Sequence, residues 1–226
     1  MKSQKAGGAE IALVYQDSEI VLINKRAGLA SQGGAGVSHS VDADLSEQLG
    51  QKIYLCHRLD KETSGLLLCA KSPAAANKWS RLIGEKSVTK EYKALCFGRP
   101  PSPRGKISLP IVERGQSKPA LTYYELEKEI VGSRPTMTED TRQSIPLSLM
   151  RLTLGTGRAH QIRIHLAKSG LPIAGDDQHG DFKLNKEAKK LLGIKRLCLC
   201  AFRLTLPLAG GQKTFEIPCF FDAYMV

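Results

Sequence analysis

The sequence predicts an α+β protein dominated by its sheet. Three observations predict it: short runs rich in β-branched and aromatic residues recur along the whole chain, turn residues separate them, and helical periodicity surfaces in few places. Nine runs read as strands: IALVYQ, IVLINK, KIYLCH, GLLLCAK, KEYKALCFG, TYYELEKEI, LMRLTLG, LCLCAFRLTLP and TFEIPCFF.

The clearest helix follows Ser72-Pro73, because serine caps free N–H groups and proline suits the first turn. Within it Ala75, Trp79, Leu82 and Ile83 recur at helical spacing, so one face packs on the sheet and Trp79 reads as core. HQIRIHLAKS reads as a second helix, stopped by Gly170-Leu171-Pro172, and KEAKKLL as a third before Gly193. Residues 98–119 concentrate Pro, Gly and basic residues, and 131–146 are polar without periodicity; both read as surface loops. The chain of 226 residues suffices for one sizeable core, so one domain over 1–226 is expected, its first ten or so residues a flexible lead-in.

Composition removes several classes. No apolar run approaches the roughly 20 residues that cross a bilayer, and the N-terminal stretch lacks the apolar core of a secretory signal. The six cysteines lie mostly in strand-like runs and form no C-x-x-C pair, the pattern of reduced cytoplasmic thiols. Formal net charge is +11, with 16 Lys/Arg against 11 Asp/Glu in residues 1–113 and 17 against 11 in 114–226. No tail carries the excess. A basic globular body suits a polyanion, since neutralised phosphates release counterions, although the same charge also serves solubility.

The stretch richest in chemistry is Cys56-His57-Arg58-Leu59-Asp60-Lys61-Glu62-Thr63-Ser64-Gly65, a polar loop between the apolar runs KIYLC and LLLCAK. An aspartate there ordinarily caps a turn. Two other segments change the weighing: Lys90-Glu91-Tyr92-Lys93-Ala94-Leu95, and Gly155-Thr156-Gly157-Arg158-Ala159-His160-Gln161-Ile162-Arg163-Ile164-His165. In this order and spacing the three segments resemble the RluA family of pseudouridine synthases. The family's H-R-L-D-x-x-T-S-G and T-G-R-x-H-Q-I-R-x-H signatures are matched at every fixed position. The resemblance runs from Asn24–Leu29 through the Gly170–Asp176 segment to the C-terminal strands.

That resemblance implies a catalytic domain with a central mixed, largely antiparallel sheet and a cleft between two halves. It implies Asp60 as the catalytic aspartate, Tyr92 as the tyrosine against the target base, and Arg163 as the arginine pairing with Asp60. Arg58 matches a residue that holds the flipped-out nucleotide or the rearranged RNA, and His57, Thr63, Arg158 and His160 join it as expected RNA-binding residues. The implied partner is ribosomal RNA, transfer RNA or both, met by a monomer in the cytoplasm, with no cofactor, metal or membrane. Arg26 stands where the family usually has proline, Ala159 where it has a hydroxyl residue, His179 near a frequent tyrosine and Cys200 near a frequent histidine. These departures bear on substrate preference.

The residue types suit the chemistry on their own terms. Breaking a C1′–N1 glycosidic bond leaves positive character on the sugar, which a carboxylate can stabilise, attack, or relieve by taking a proton from C2′. A guanidinium can grip that carboxylate by two parallel hydrogen bonds. A base inside a helix must leave the stack to be reached, and an aromatic ring replaces the lost stacking; taken alone, Tyr92 reads as a cross-strand core residue. His160 and His165 tempt a metal reading, but five residues along a helix turn about 140° from a common face. Two other functions compete: a non-catalytic RNA-binding protein on the same scaffold, and a hydrolase using Ser64, which lacks a G-x-S-x-G elbow.

Overall fold

The computed structural model describes residues 10–133 and 144–225. The expected lead-in at 1–10, apart from Glu10, and the middle of the expected loop at 131–146 lie outside these residues. In chain order the elements are β1 Ala12–Gln16, β2 Ile20–Lys25, α1 Val41–Leu49, β3 Tyr54–Leu55, β4 Ser64–Ala70, α2 Pro73–Gly84 and β5 Thr89–Phe97. There follow β6 Arg104–Ile107, β7 Ile111–Glu113, β8 Gln116–Lys118, β9 Thr122–Ser133 and β10 Ser144–Leu154. The chain continues through α3 Gln161–Lys168, α4 Phe182–Leu192, β11 Leu199–Leu208, β12 Gly211–Glu216 and a 3-10 turn Phe220–Met225. This is the expected α+β class. Contacts divide it into two compact units: Met1–Thr89 with Arg203–Ile217, and Lys90–Phe202 with Pro218–Val226.

In the first unit β2 lies antiparallel between β1 and β4, with Ile20 opposite Ala70 and Lys25 opposite Gly65, while β3 adds to β4. Ile20 to Ile23 and Leu66 to Cys69 are completely buried. Such unbroken apolar runs belong to strands covered on both faces, which is why IVLIN and GLLLCA do not alternate. One face forms a core of Ile20, Leu22, Leu66, Leu68, Leu204 and Leu206 with Ala75 and Trp79 of α2. Helix α2 begins as expected: Ser72 accepts a hydrogen bond from the Ala75 N–H, and Pro73 follows the cap. The last residues of β11 pair with β12, Arg203 opposite Glu216 and Leu208 opposite Gly211.

Sequence reasoning missed α1, which buries only Val41 and Leu45. Two apolar positions give too little periodicity to register, and the glycine-rich GGAG before them reads as loop.

In the second unit β10 is antiparallel to β5 on one side and β9 on the other, so Leu152 stands opposite both Tyr92 and Tyr124. Strand β6 pairs with β9, and β7 with β8. The 98–119 stretch is therefore three short strands rather than loop alone, and β9 and β10 reach into the expected loop at 131–146. In KIYLCH only Tyr54–Leu55 is strand, and the end of TFEIPCFF enters the 3-10 turn. Helices α3 and α4 lie against β9. All six cysteines are buried and free. Burial pushes the Cys198 thiol up to about 12, out of the reactive range. Among the described residues no helix is long and apolar enough to cross a membrane.

Candidate active site

Asp60 lies in the turn between β3 and β4, where its carbonyl accepts the Thr63 N–H at 3.1 Å. This bond closes the turn through the main chain and does not use the Asp60 carboxylate. The aspartate itself is half-buried, while the main chain of the residue on either side of it is pinned. Before it, the Ser31 hydroxyl donates to the Leu59 carbonyl at 2.6 Å and accepts the Leu59 N–H at 3.1 Å. After it, the Lys61 carbonyl accepts from the Gly28 N–H at 2.9 Å and from Lys25 Nζ at 3.0 Å.

Lys25 makes this clamp possible. Its ammonium is completely buried and donates also to the carbonyls of Leu29 at 2.8 Å and Arg26 at 3.1 Å, so each of its three protons has an oxygen. Burial pulls its pKa down to about 8, against an upward pull from Glu62 and Asp60. The loop formed by residues 25–31 thus grips the Asp60 turn by main chain, and a cavity of ≈ 290 Å³ lined by Arg26, Val37, His39 and Lys61 opens beside it. Neither Lys25 nor Ser31 was marked as functional from the sequence. A lysine closing a strand that is buried on both faces is the signal that could have found the first.

Of the residues expected to meet RNA, Arg58 is exposed and His57 half-buried, with His57 Nε2 accepting the Leu68 N–H at 3.2 Å. Thr63 is only 2% exposed.

Tyr92, Arg163, Arg158 and His160 belong to the second unit. Tyr92 is buried on β5, opposite Leu152 of β10. Arg163 is buried in the first turn of α3, and its guanidinium is held side-on by Asp176: Nε to Oδ2 at 2.8 Å and Nη2 to Oδ1 at 2.7 Å. Nη2 also reaches Gln178 Oε1 at 3.3 Å. Burial alone would raise the pKa of Asp176, but the Arg163 pair and the backbone N–H groups of His179 and Gln178 bring it below its ordinary value.

The segment Gly170–Asp176 delivers that carboxylate. Phe97 donates to the Pro172 carbonyl and Ala174 to the Leu95 carbonyl, each at 2.9 Å, and the chain then turns at Gly175. Gly175 has φ +76°, and a Cβ there would lie 2.1 Å from the Arg196 carbonyl oxygen, so only glycine fits. The sequence signals no role for Asp176 beyond its place at the end of the Gly170–Asp176 segment.

The T-G-R-x-H-Q loop is stitched down by Gln161, whose amide donates to Leu121 O at 2.8 Å and Thr122 Oγ1 at 3.0 Å. Its Oε1 accepts from Thr156 Oγ1 at 2.7 Å and the Arg158 N–H at 3.0 Å. His160, in the left-handed region at φ 51°, brings Nδ1 to 2.9 Å from His179 Nε2. His165 spends both ring nitrogens, on Thr122 Oγ1 and the Leu109 carbonyl, each at 2.9 Å. It is a tether within the fold.

A family model for RNA pseudouridylate synthase matches residues 19–168, which contain every residue expected at the site. A ribosomal large subunit pseudouridine synthase C of Rickettsia bellii is 37% identical over 78% of this chain and 59% of its own length. The protein of that name from Escherichia coli is 30% identical over 95% of this chain and 68% of its own. The chain spans about three-fifths of the length of the first of these relatives. Among solved structures, human RNA pseudouridylate synthase domain containing 1 superposes with a TM-score of 0.74 at 25% identity, covering 98% of this chain and 87% of that one. Human RNA pseudouridylate synthase domain containing 4 gives 0.73 at 26% identity, covering 95% and 91%. With its fold, its motifs and the matched segment in agreement, the chain belongs to the RNA pseudouridylate synthase family.

Proposed function

We propose that this protein isomerises uridines in structured RNA to pseudouridine, with Asp60 as its catalytic carboxylate. The observation that carries the reading is the clamp on Asp60. A turn aspartate with no task beyond closing its turn does not require the main chain of both neighbouring residues to be fixed by a buried ammonium and a buried hydroxyl, whereas a reacting carboxylate must be held in place.

In this reaction the C1′–N1 bond breaks while Asp60 attends the electron-poor sugar. The uracil turns to present C5, the C1′–C5 bond forms, C5 gives up its proton and N1 gains one. No atom or electron enters or leaves overall. Tyr92 stacks on the extruded base. Arg163, held by Asp176 and Gln178, pairs with Asp60 as the family resemblance implies. Both units act as one catalytic domain, working as a monomer in the cytoplasm. Arg58 and Arg158 meet phosphates, helped by His57 and His160, while buried Thr63 supports the loop from within by closing the Asp60 turn. Ribosomal RNA is the first target to test, since the curated relatives carry that name, and transfer RNA the second.

Release of tritium from C5-labelled RNA measures the isomerisation directly. Asp60→Asn should lower it by on the order of 10³-fold or more while the protein stays folded and binds RNA. Wild-type release by the purified Asn variant would refute the assignment, and RNA binding without any release by the wild type would favour the non-catalytic RNA-binding reading.

A further inference from the structure

Helix α4 lies beyond the segment matched by the family model and carries charge that the proposed chemistry does not use. Its inner side is made of buried Ala188 with half-buried Leu184, Asn185, Leu191 and Leu192. Its outer side presents Phe182, Lys183, Lys186, Lys189 and Lys190, all exposed. At 3.6 residues per turn these five fall within an arc of about 120°. Phe182 is 84% exposed, more than any other large apolar side chain among the described residues.

Nothing in the fold accounts for this face. Among the described residues none of the four lysines has an ion-pair partner, and Glu187, the one acid in the helix, pairs with none of them. Lys186 repels Lys189 and Lys190 at i+3 and i+4, each pair costing the helix a few tenths of a kcal/mol. Lys189 and Lys190 at least suit the C-terminal end of the helix dipole; Lys183 sits at the end where a cation is disfavoured.

The inner side, by contrast, is fastened to the machinery around Arg163. Asn185 accepts the Gly175 N–H at 2.8 Å and donates to the Asp176 carbonyl at 2.9 Å, gripping the residue whose carboxylate holds Arg163. A ligand seated on the outer side is therefore in fixed register with Arg163.

We propose that the outer face of α4 is an RNA-docking surface, with Lys183, Lys186, Lys189 and Lys190 meeting phosphates that flank the target nucleotide and Phe182 stacking on an unpaired base. This rests on the RNA reading of the site. Cations along a strand's phosphates with an aromatic platform among them is the general mode of single-stranded nucleic-acid binding. A lipid surface fits poorly, since an interfacial helix needs a broad apolar face and this one has a single ring.

The test uses a fluorescein-labelled RNA hairpin with a single-stranded flank, its binding measured from about 50 to 200 mM salt, the span over which phosphate contacts weaken steeply. In the full-length protein, K186Q/K189Q/K190Q should weaken binding about 10- to 100-fold at low salt. The slope of log Kd against log salt should fall by about 2 to 3, near 0.7–0.9 for each lost contact. Phe182→Ala should weaken binding about 5- to 100-fold with the slope kept, because stacking releases no counterions. The turnover lost by either variant should return at saturating enzyme.

Wild-type affinity and slope in both variants would overturn the surface while leaving the RNA reading standing. A triple variant that binds normally but turns over slowly even at saturation would also overturn it, since α4 would then act only by supporting Arg163. Should the wild type itself bind the hairpin without salt dependence, the RNA reading fails and the surface with it. Salt-dependent capture of the wild type by an acidic polypeptide in preference to the hairpin would assign the face to a protein partner instead.

Discussion

The supports of Asp60 and Arg163 hold the two side chains proposed for the chemistry by opposite means. Around Asp60 the fold grips the backbone: Lys25, Gly28 and Ser31 bond to the peptides of Leu59 and Lys61, and the aspartate is only half-buried. Around Arg163 it grips the charge itself, two guanidinium nitrogens meeting two carboxylate oxygens in a pair 5% and 1% exposed. A main-chain clamp fixes where a group starts and leaves its carboxylate available to change partners. A side-chain pair fixes the orientation of a group whose charge stays constant. Each device suits its residue in the proposed reaction, where the carboxylate must respond to the sugar and the guanidinium must not move.

The comparison breaks most severely at Asp176. Asp176→Asn keeps the shape but removes the charged carboxylate that two guanidinium nitrogens of buried Arg163 meet, and breaking a buried pair typically costs about 3–5 kcal/mol. Urea unfolding should show that loss as a lower midpoint at unchanged m, and turnover should fall with it because Arg163 loses its side-on grip. An Asn variant as stable as wild type would mean that the pair is solvated in solution and orients nothing.

Next comes Lys25. Lys25→Met removes an ammonium that serves three carbonyls, each costing about 1–3 kcal/mol when stripped of its partner, offset in part by relief from burying a charge. A net loss of about 2–4 kcal/mol is expected, and turnover should fall further than RNA affinity because the Asp60 turn loosens. If affinity dropped and single-turnover chemistry did not, Lys25 would belong to RNA binding and not to the clamp.

These two residues also show what the sequence could reveal. The strands around the Asp60 turn were legible because β2 and β4 are unbroken apolar runs, and α2 because Ser72-Pro73 announces it. The site motifs were legible through resemblance. The supports were not: Asp176 lies 13 positions from Arg163, beyond a glycine turn, and only the docking of Gly170–Asp176 beside β5 brings them together. Lys25 followed by Arg26 looks like an exposed basic pair at a strand end, yet the two part company, the first fully buried and the second exposed. The short strands β6 to β8 hid within a stretch whose prolines and glycines read as loop.

A milder change probes one side of the clamp. Ser31→Ala removes one hydroxyl and with it two buried hydrogen bonds to Leu59, leaving a donor and an acceptor unsatisfied; about 1–2 kcal/mol of stability should go. Because the lost bonds lie on the peptide next to Asp60, the single-turnover rate should fall several-fold while the Kd for RNA stays near that of wild type. Equal losses in rate and affinity would show that Ser31 shapes the RNA surface instead.

The smallest effect separates the two supports by pH. Folding lowers the pKa of Asp176 below its ordinary 3.8, so between those values the unfolded chain binds more protons than the folded one. Its contribution is complete above 3.8 and is lost as pH falls through the folded value. Folding also lowers Lys25, from 10.5 to about 8, and again the unfolded chain holds more protons, this time between about 8 and 10.5. The buried ammonium therefore weighs on the fold at neutral pH, and stability from this group rises as pH climbs above about 8, by about 1 kcal/mol between pH 8 and 9. Lys90, also lowered by burial, acts in the same direction, but it does so in wild type and Lys25→Met alike. Unfolding free energies measured across pH for wild type, Asp176→Asn and Lys25→Met isolate each step: the first variant should lose the acid step alone and the second should flatten the alkaline rise. Parallel curves for wild type and Lys25→Met above pH 8 would mean that the ammonium is hydrated, and that the three carbonyls around it are held by water instead of by Lys25.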